Sequence, residues 1–157
     1  MRAVIQRVSS ASVEVDGKIV GSCQRGYLIL LGVADGDTEL DAELLCKKIS
    51  ALRIFRDEND KMNLSIRDID GEALVISQFT LLANYRHGNR PDFMASAKPD
   101  EANRLYEYFK ALAQKELRRV ESGIFGADMK VELLNDGPVT IVMDSEVLKS
   151  KIGRAHV

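Results

Sequence analysis

The chain of 157 residues sets 22 lysines and arginines against 24 aspartates and glutamates, a formal net charge of −2. That balance excludes strong sequence-independent nucleic-acid binding, which needs many cationic contacts to phosphate, but it leaves room for a local basic patch. The length fits one domain that buries its own core without staples, and no apolar run reaches the ~18 residues of a membrane span.

Residues 2–8 alternate weakly and are predicted as a strand. Arg7 interrupts them. Either it is solvated on an outer face, or it turns inward to hold a backbone carbonyl or the turn at Gly137 and Pro138. Residues 12–15 alternate again, and Asp16-Gly17 marks a hairpin into residues 18–20. After Gly26, residues 27–33 are continuously apolar, as a strand buried on both faces requires. Asp35-Gly36-Asp37 stops this block. Thr38 and Asp41 form a capping-box-like helix start. Leu40, Leu44, Leu45, Ile49 and Leu52 are predicted to share its buried face, with Lys47 and Lys48 in solvent.

Residues 57–61 read as a polar turn, residues 64–69 as a short strand and Asp70-Gly71 as a reversal. Residues 73–79 form the second strong strand, and polar Ser77, Gln78 and Thr80 crowd its end. Residues 80–91 are predicted as a loop carrying Arg86, His87 and Arg90, either solvated or set to meet phosphate. Pro99, Asp100 and Glu101 start a second helix that runs to about residue 117, burying Ala102, Leu105, Phe109 and Leu112. Residues 120–125, 131–134 and 139–143 are the closing strands, and Gly123 and Gly126 around Phe125 imply a bent backbone. Asn135-Asp136-Gly137-Pro138 reads as a hairpin turn between the last two strands, or as backbone presented for a purpose. The order of elements argues for a single α/β (α+β) domain with mixed, mainly antiparallel sheets and two main amphipathic helices. It carries no Gly-x-Gly-x-x-Gly or phosphate-loop pattern.

Acid–base groups are scarce. His87 lies in a loop and His156 near the end, and nothing marks a partner serine for a triad. No His, Cys and carboxylate cluster has metal-ligand spacing, so neither metal nor organic cofactor is expected. Cys23 and Cys46 are read as free, buried thiols. With no signal-like segment opening the chain, cytoplasm is the expected location and no membrane is expected as a partner. Thr80 is the candidate nucleophile, but no base is evident to activate it; its other role is a backbone hydrogen bond at a strand end. Gln78 cannot carry a proton but can stabilise an oxyanion. Such an inventory suits a substrate that brings its own reactive group.

Ser77-Gln78-Phe79-Thr80-Leu81 and Asn135-Asp136-Gly137-Pro138-Val139-Thr140 resemble the two signature motifs of the D-aminoacyl-tRNA deacylases. The resemblance extends over residues 1–8, 52–55, Arg90-Pro91 and 123–127, and stops near Asp144. It leaves a domain at 1–147 and an extension at 148–157. Asp92 stands where the family commonly has Ser, and Asp128 adds a carboxylate near the implied pocket. The resemblance implies a barrel-like core and a homodimer that hydrolyses the ester at the 3′ end of D-aminoacyl-tRNA, and of glycine mischarged on tRNA(Ala). Gly137 and Pro138, joined by a cis bond, would enter the partner subunit's site and exclude L-aminoacyl esters. Ser77, Gln78, Phe79 and Thr80 would line the receiving pocket, Phe125 and Met129 its wall, and Arg7 would fix the Gly-Pro turn. Gln78 and Thr80 are the residues placed at the chemistry. A non-catalytic tRNA-binding proofreading module is the alternative, and hydrolysis of free small esters or D-peptides a third reading.

Overall fold

The computed structural model describes residues 1–149. One strand organises them. β1 (Arg2–Val15) is long enough to serve two neighbours along one edge. Its second half turns at Asp16-Gly17, both at positive φ, into β2 (Lys18–Cys23), and its first half pairs antiparallel with β3 (Gly26–Gly32). Two successive positive φ angles match the right-handed twist of the flanking strands. Six of the seven β3 residues are buried, as its unbroken apolar run requires.

The next two connections join parallel strands and therefore need crossovers. β3 leads through α1 (Glu39–Ala51) and a small antiparallel pair, β4 (Phe55–Arg56) with β5 (Met62–Leu64), to β6 (Glu72–Ser77), which lies parallel to β3. β6 leads through α2 (Pro99–Glu116) to β7 (Arg119–Ser122), parallel to β6. The Ser22 amide then donates to Glu121 Oε1 at 2.9 Å, so β7 stands beside β2 and the sheet is nearly closed. β8 (Lys130–Asp144) covers the other edge of β1 along most of its length. The two helices pack together over the core, where the Tyr27 and Phe55 rings lie 5.2 Å apart and the Tyr106 hydroxyl donates to the Val75 carbonyl at 3.0 Å.

Four local expectations change. The buried stripe of α1 is Ala42, Leu45, Cys46 and Ile49, while Leu40 is 47% exposed. The helix is rotated because Asp41 is drawn inward. Its carboxylate accepts from the Thr38 amide at 2.8 Å and the Ser145 hydroxyl at 2.6 Å, and pairs with Lys149 at 2.8 Å. The Met1 α-ammonium joins this buried network, 2.8 Å from Asp37 and 3.0 Å from Ser145 Oγ. Residues 65–69 are turns rather than strand, because the Ser65 amide donates to Asp68 while the Asp68 amide donates to Ser65 Oγ. Such reciprocal side-chain bonds compete with a ladder. The strands predicted at 73–79 and 120–125 end at Ser77 and Ser122.

The predicted hairpin at residues 135–138 is not a hairpin. Both flanking segments run antiparallel to the same strand, β1, so the chain cannot reverse between them. The register instead slips at Arg7, and the extra residues stand out as a bulge.

Cys23 and Cys46 are free and buried, and burial pushes the Cys23 thiol up to about 11. Leu148 packs against the core; residues 150–157, most of the extension read at 148–157, lie outside the described residues. Among the described residues no helix is long and apolar enough to cross a membrane.

Candidate active site

β6 is buried up to Ile76, and its chemistry begins where burial ends. Ser77 and Gln78 are half-buried, and residues 79–82 turn into a short 3-10 helix that leaves Phe79 and Thr80 exposed. A cavity of about 590 Å³ opens here. Ser77, Gln78, Phe79 and Thr80 line it together with Phe125 and Met129. Phe125 is held against the Tyr106 ring at 6.1 Å. Met129 packs so closely on Gly123 that a Cβ there would collide with its sulfur, which explains the glycine where the chain leaves β7. Phe79 is edge-on to Phe93 at 5.1 Å, at the exposed end of the cavity.

The polar groups of this cavity are few, and apart from Lys98 none of them is an acid or a base. The Gln78 amide donates to Thr80 Oγ1 at 3.0 Å. No carboxylate or imidazole hydrogen-bonds to the Thr80 hydroxyl among the described residues, so a nucleophilic Thr80 has no base in reach. Among the described residues no group of His, Cys, Asp and Glu side chains could hold a metal ion.

The second motif is built differently. The bulge at residues 135–138 is closed from within. Asn135 donates through its amide nitrogen to the Val139 carbonyl at 2.9 Å and accepts from the Val139 amide at 3.1 Å. Arg7 supports it from below. This arginine is 2% exposed; its Nε donates to the Asp136 carbonyl at 3.0 Å and its Nη1 to the Ile54 carbonyl at 2.6 Å. Asp136 also pairs with Arg7 at 3.6 Å and Arg56 at 3.8 Å. Above this base the Gly137-Pro138 peptide bond is cis, and both residues are exposed and without a ladder partner. Gly137 has φ +134°, and a Cβ there would stand 2.9 Å from Arg7 Nη2. No residue of the bulge lines the cavity of its own chain.

The other side chains singled out from sequence settle more simply. Asp92 accepts from the Met94 amide at 3.2 Å and so caps its loop. Asp128 pairs with Lys130 at 3.1 Å on the surface. Arg86, His87 and Arg90 are exposed and do not line the cavity. The sequence reading missed Val33, Phe93, Ser96, Ala97, Lys98 and Ala102 as cavity residues. Two of them, Val33 in the apolar run at residues 27–33 and Ala102 in the helix that Pro99 starts, were read as buried core instead.

Comparison with known proteins gives this arrangement a class. A solved structure entitled "c-Myc DNA Unwinding Element Binding Protein" superposes with a TM-score of 0.87 at 40% identity, over 92% of this chain and 98% of that one. A second, "Structural Analysis of a probable eukaryotic D-amino acid tRNA deacylase", shares the fold with a TM-score of 0.80 at 18% identity, over 91% and 98%. D-aminoacyl-tRNA deacylase from Sulfurihydrogenibium sp. (strain YO3AOP1) is 59% identical across 94% of this chain and all of its own. Its counterpart from Caldicellulosiruptor bescii is 54% identical across 93% and 98%. These relatives make the chain a hydrolase of the aminoacyl-tRNA ester bond. The family model described as D-Tyr-tRNA(Tyr) deacylase matches residues 4–144, and the chain belongs to that family.

Proposed function

We propose that the chain releases D-amino acids from D-aminoacyl-tRNA as a homodimer, each cavity completed by the partner subunit's Gly137 and Pro138. One observation carries this reading. The cavity and the bulge lie on one chain, yet neither completes the other: the first has no carboxylate among its described lining residues to hold an ammonium group, and the second exposes backbone without a ladder partner.

Two exposed carbonyls of the inserted bulge would accept from the substrate α-ammonium without any ionisable side chain. With ammonium and ester both fixed, the α-hydrogen and side chain exchange places between enantiomers. An L side chain then strikes the wall, whereas a D side chain points outward. Glycine has no side chain to strike, so glycine mischarged on tRNA(Ala) is a substrate on the same grounds. Water attacks the ester carbonyl, and the Gln78 amide, oriented by its bond to Thr80 Oγ1, donates to the oxyanion that forms. The neighbouring ribose 2′-hydroxyl assists the water, since the described residues supply no base. The ribose 3′-oxygen leaves with a proton, giving free D-amino acid and tRNA in the cytoplasm.

Deacylation of D-Tyr-tRNA, L-Tyr-tRNA and Gly-tRNA(Ala) by the purified chain tests the reading. Rapid loss of the first and third with the second intact is expected. Equal loss of the D and L esters would refute the chiral argument. tRNA binding without loss of any ester would refute the catalytic one.

A further inference from the structure

We infer that residues 84–98 grip the phosphate backbone of the substrate's single-stranded 3′ end, with Lys98 at the phosphate nearest the ester-bearing nucleotide and Arg86 and Arg90 on phosphates beyond it. The inference rests on the ester-hydrolase reading of the cavity and adds to it the element that holds the RNA.

Placement is the first ground. Phe93, Ser96, Ala97 and Lys98 form one wall of the cavity, and Lys98 is the one charged residue on any of its walls among the described residues. A terminal aminoacyl-nucleotide seated in an otherwise uncharged cavity carries its first phosphate at the cavity rim, where an exposed lysine can meet it.

Charge is the second ground. Arg2, Arg56, Arg67, Arg104, Arg118 and Arg119 all pair with carboxylates on the protein surface. Arg86, Arg90 and Lys98 make no ion pair among the described residues; of the other described arginines, Arg25 and Arg53 also make none, but Arg25 lies over the Phe55 ring and Arg53 donates to the Asn63 carbonyl. The acids close to them in sequence are largely engaged: Asp92 accepts from the Met94 amide at 3.2 Å, and Glu101 holds Arg104 at 2.7 Å, leaving Asp100 beside Lys98. The segment thus presents an excess of positive charge on a chain whose net charge is −2.

Rigidity is the third. The Asp35 amide donates to the Ala95 carbonyl at 2.8 Å, the Ala97 amide donates to the Val33 carbonyl at 2.9 Å, and Asn84 and Asp92 exchange backbone bonds at 2.8 and 3.0 Å. These bonds tie the cationic segment to β3 and close its loop, so little ordering is needed when RNA arrives. Tyr85 and Met94 on the same segment are 81% and 86% exposed. Readers of single-stranded nucleic acid combine such open aromatic or apolar groups with cations that follow the backbone.

The test compares two esters that differ in phosphate: D-Tyr-tRNA, and D-tyrosyl-adenosine, which has none. Lys98→Ala is expected to raise KM for the tRNA ester, with kcat retained, so that the loss in kcat/KM is about 3- to 10-fold greater on tRNA than on the nucleoside ester. The slope of log kcat/KM against log salt should shrink by about 0.7 for each phosphate contact removed. Lys98→Arg should restore both. Arg86→Ala with Arg90→Ala should act in the same direction. Equal losses on the two esters would assign Lys98 a merely structural role and overturn the inference. An unchanged salt slope and KM for tRNA would overturn it as well. Those results in an active wild-type background leave the hydrolase reading standing, whereas a wild-type chain inactive on D-Tyr-tRNA would remove both.

Discussion

The cavity at the end of β6 and the bulge in β8 are opposite solutions to presenting chemistry. The cavity is concave and largely apolar, and the polar groups it presents are side chains displayed where burial ends, at Ser77, Gln78 and Thr80. The bulge instead exposes Gly137 and Pro138 and presents backbone, fixed by the Asn135 side chain from within and by the buried Arg7 guanidinium from beneath. Side chains at a strand end are easily exchanged; exposed backbone is determined by everything that supports it. Substitutions in the two regions should therefore fail in different ways.

The largest effect is expected at Gly137. Its φ of +134° and the 2.8 Å and 2.9 Å approaches that a Cβ would make to Val139 and Arg7 leave no place for a side chain. Gly137→Ala should lower kcat/KM on D-Tyr-tRNA by at least about 100-fold, as displaced positioning groups do, while circular dichroism shows a folded chain. Gln78→Ala, in the cavity, should lower kcat by about 100-fold, the usual effect of losing an oxyanion donor, and leave thermal stability nearly unchanged.

Arg7→Ala should instead reduce activity and stability together. It leaves the Asp136 and Ile54 carbonyls without their donor, at a cost of roughly 2–4 kcal/mol in denaturant unfolding. Arg7 thereby separates the support of the bulge from its exposed tip.

Asp41 lies in neither region and sharpens the contrast as a stability position alone. Burial by itself would raise its pKa, but hydrogen bonds from Lys149, Ser145 and the Thr38 amide outweigh burial and hold the carboxyl at about 2. A depressed folded-state pKa contributes stability that is complete above the unfolded value near 4 and lost as pH falls towards 2. Acid unfolding should show a loss of about 2 kcal/mol across that window, absent in Asp41→Asn, whose activity per folded molecule at neutral pH is unchanged. The smallest effect is expected for Thr80→Ala. With no base beside its hydroxyl, turnover should stay within about 10-fold of wild type; abolished turnover in single-turnover assays would indicate an acyl-enzyme instead.

Both regions were legible in sequence as motifs, but not as architecture. Polar residues closing a buried strand marked residues 77–80. The part of the lining at residues 93–98 did not announce itself, because it is carried there by backbone bonds to Val33 and Asp35 that no local pattern encodes. Asn-Asp-Gly serves a bulge as readily as a hairpin, and only the continuity of β1 as the common partner decides between them. The inward turn of Arg7 depends on carbonyls 47 and 129 residues away. The buried face of α1 was misread because the partner that pulls Asp41 inward, Ser145, stands 104 residues away. Predominantly local features survived: the Asp16-Gly17 turn, the apolar run of β3, and the Pro99 start of α2.

The composite site is tested most directly by complementation. Gly137→Ala chains keep an intact cavity and Gln78→Ala chains keep an intact bulge. Mixed, unfolded and refolded together in equal amounts, the two inactive variants form heterodimers with one whole site of two. If the bulge serves the partner's cavity, activity on D-Tyr-tRNA should return to about a quarter of wild type, since random pairing makes half of the dimers mixed. Activity no higher than that of either variant alone, in a sample shown to contain heterodimers, would contradict a site shared between subunits.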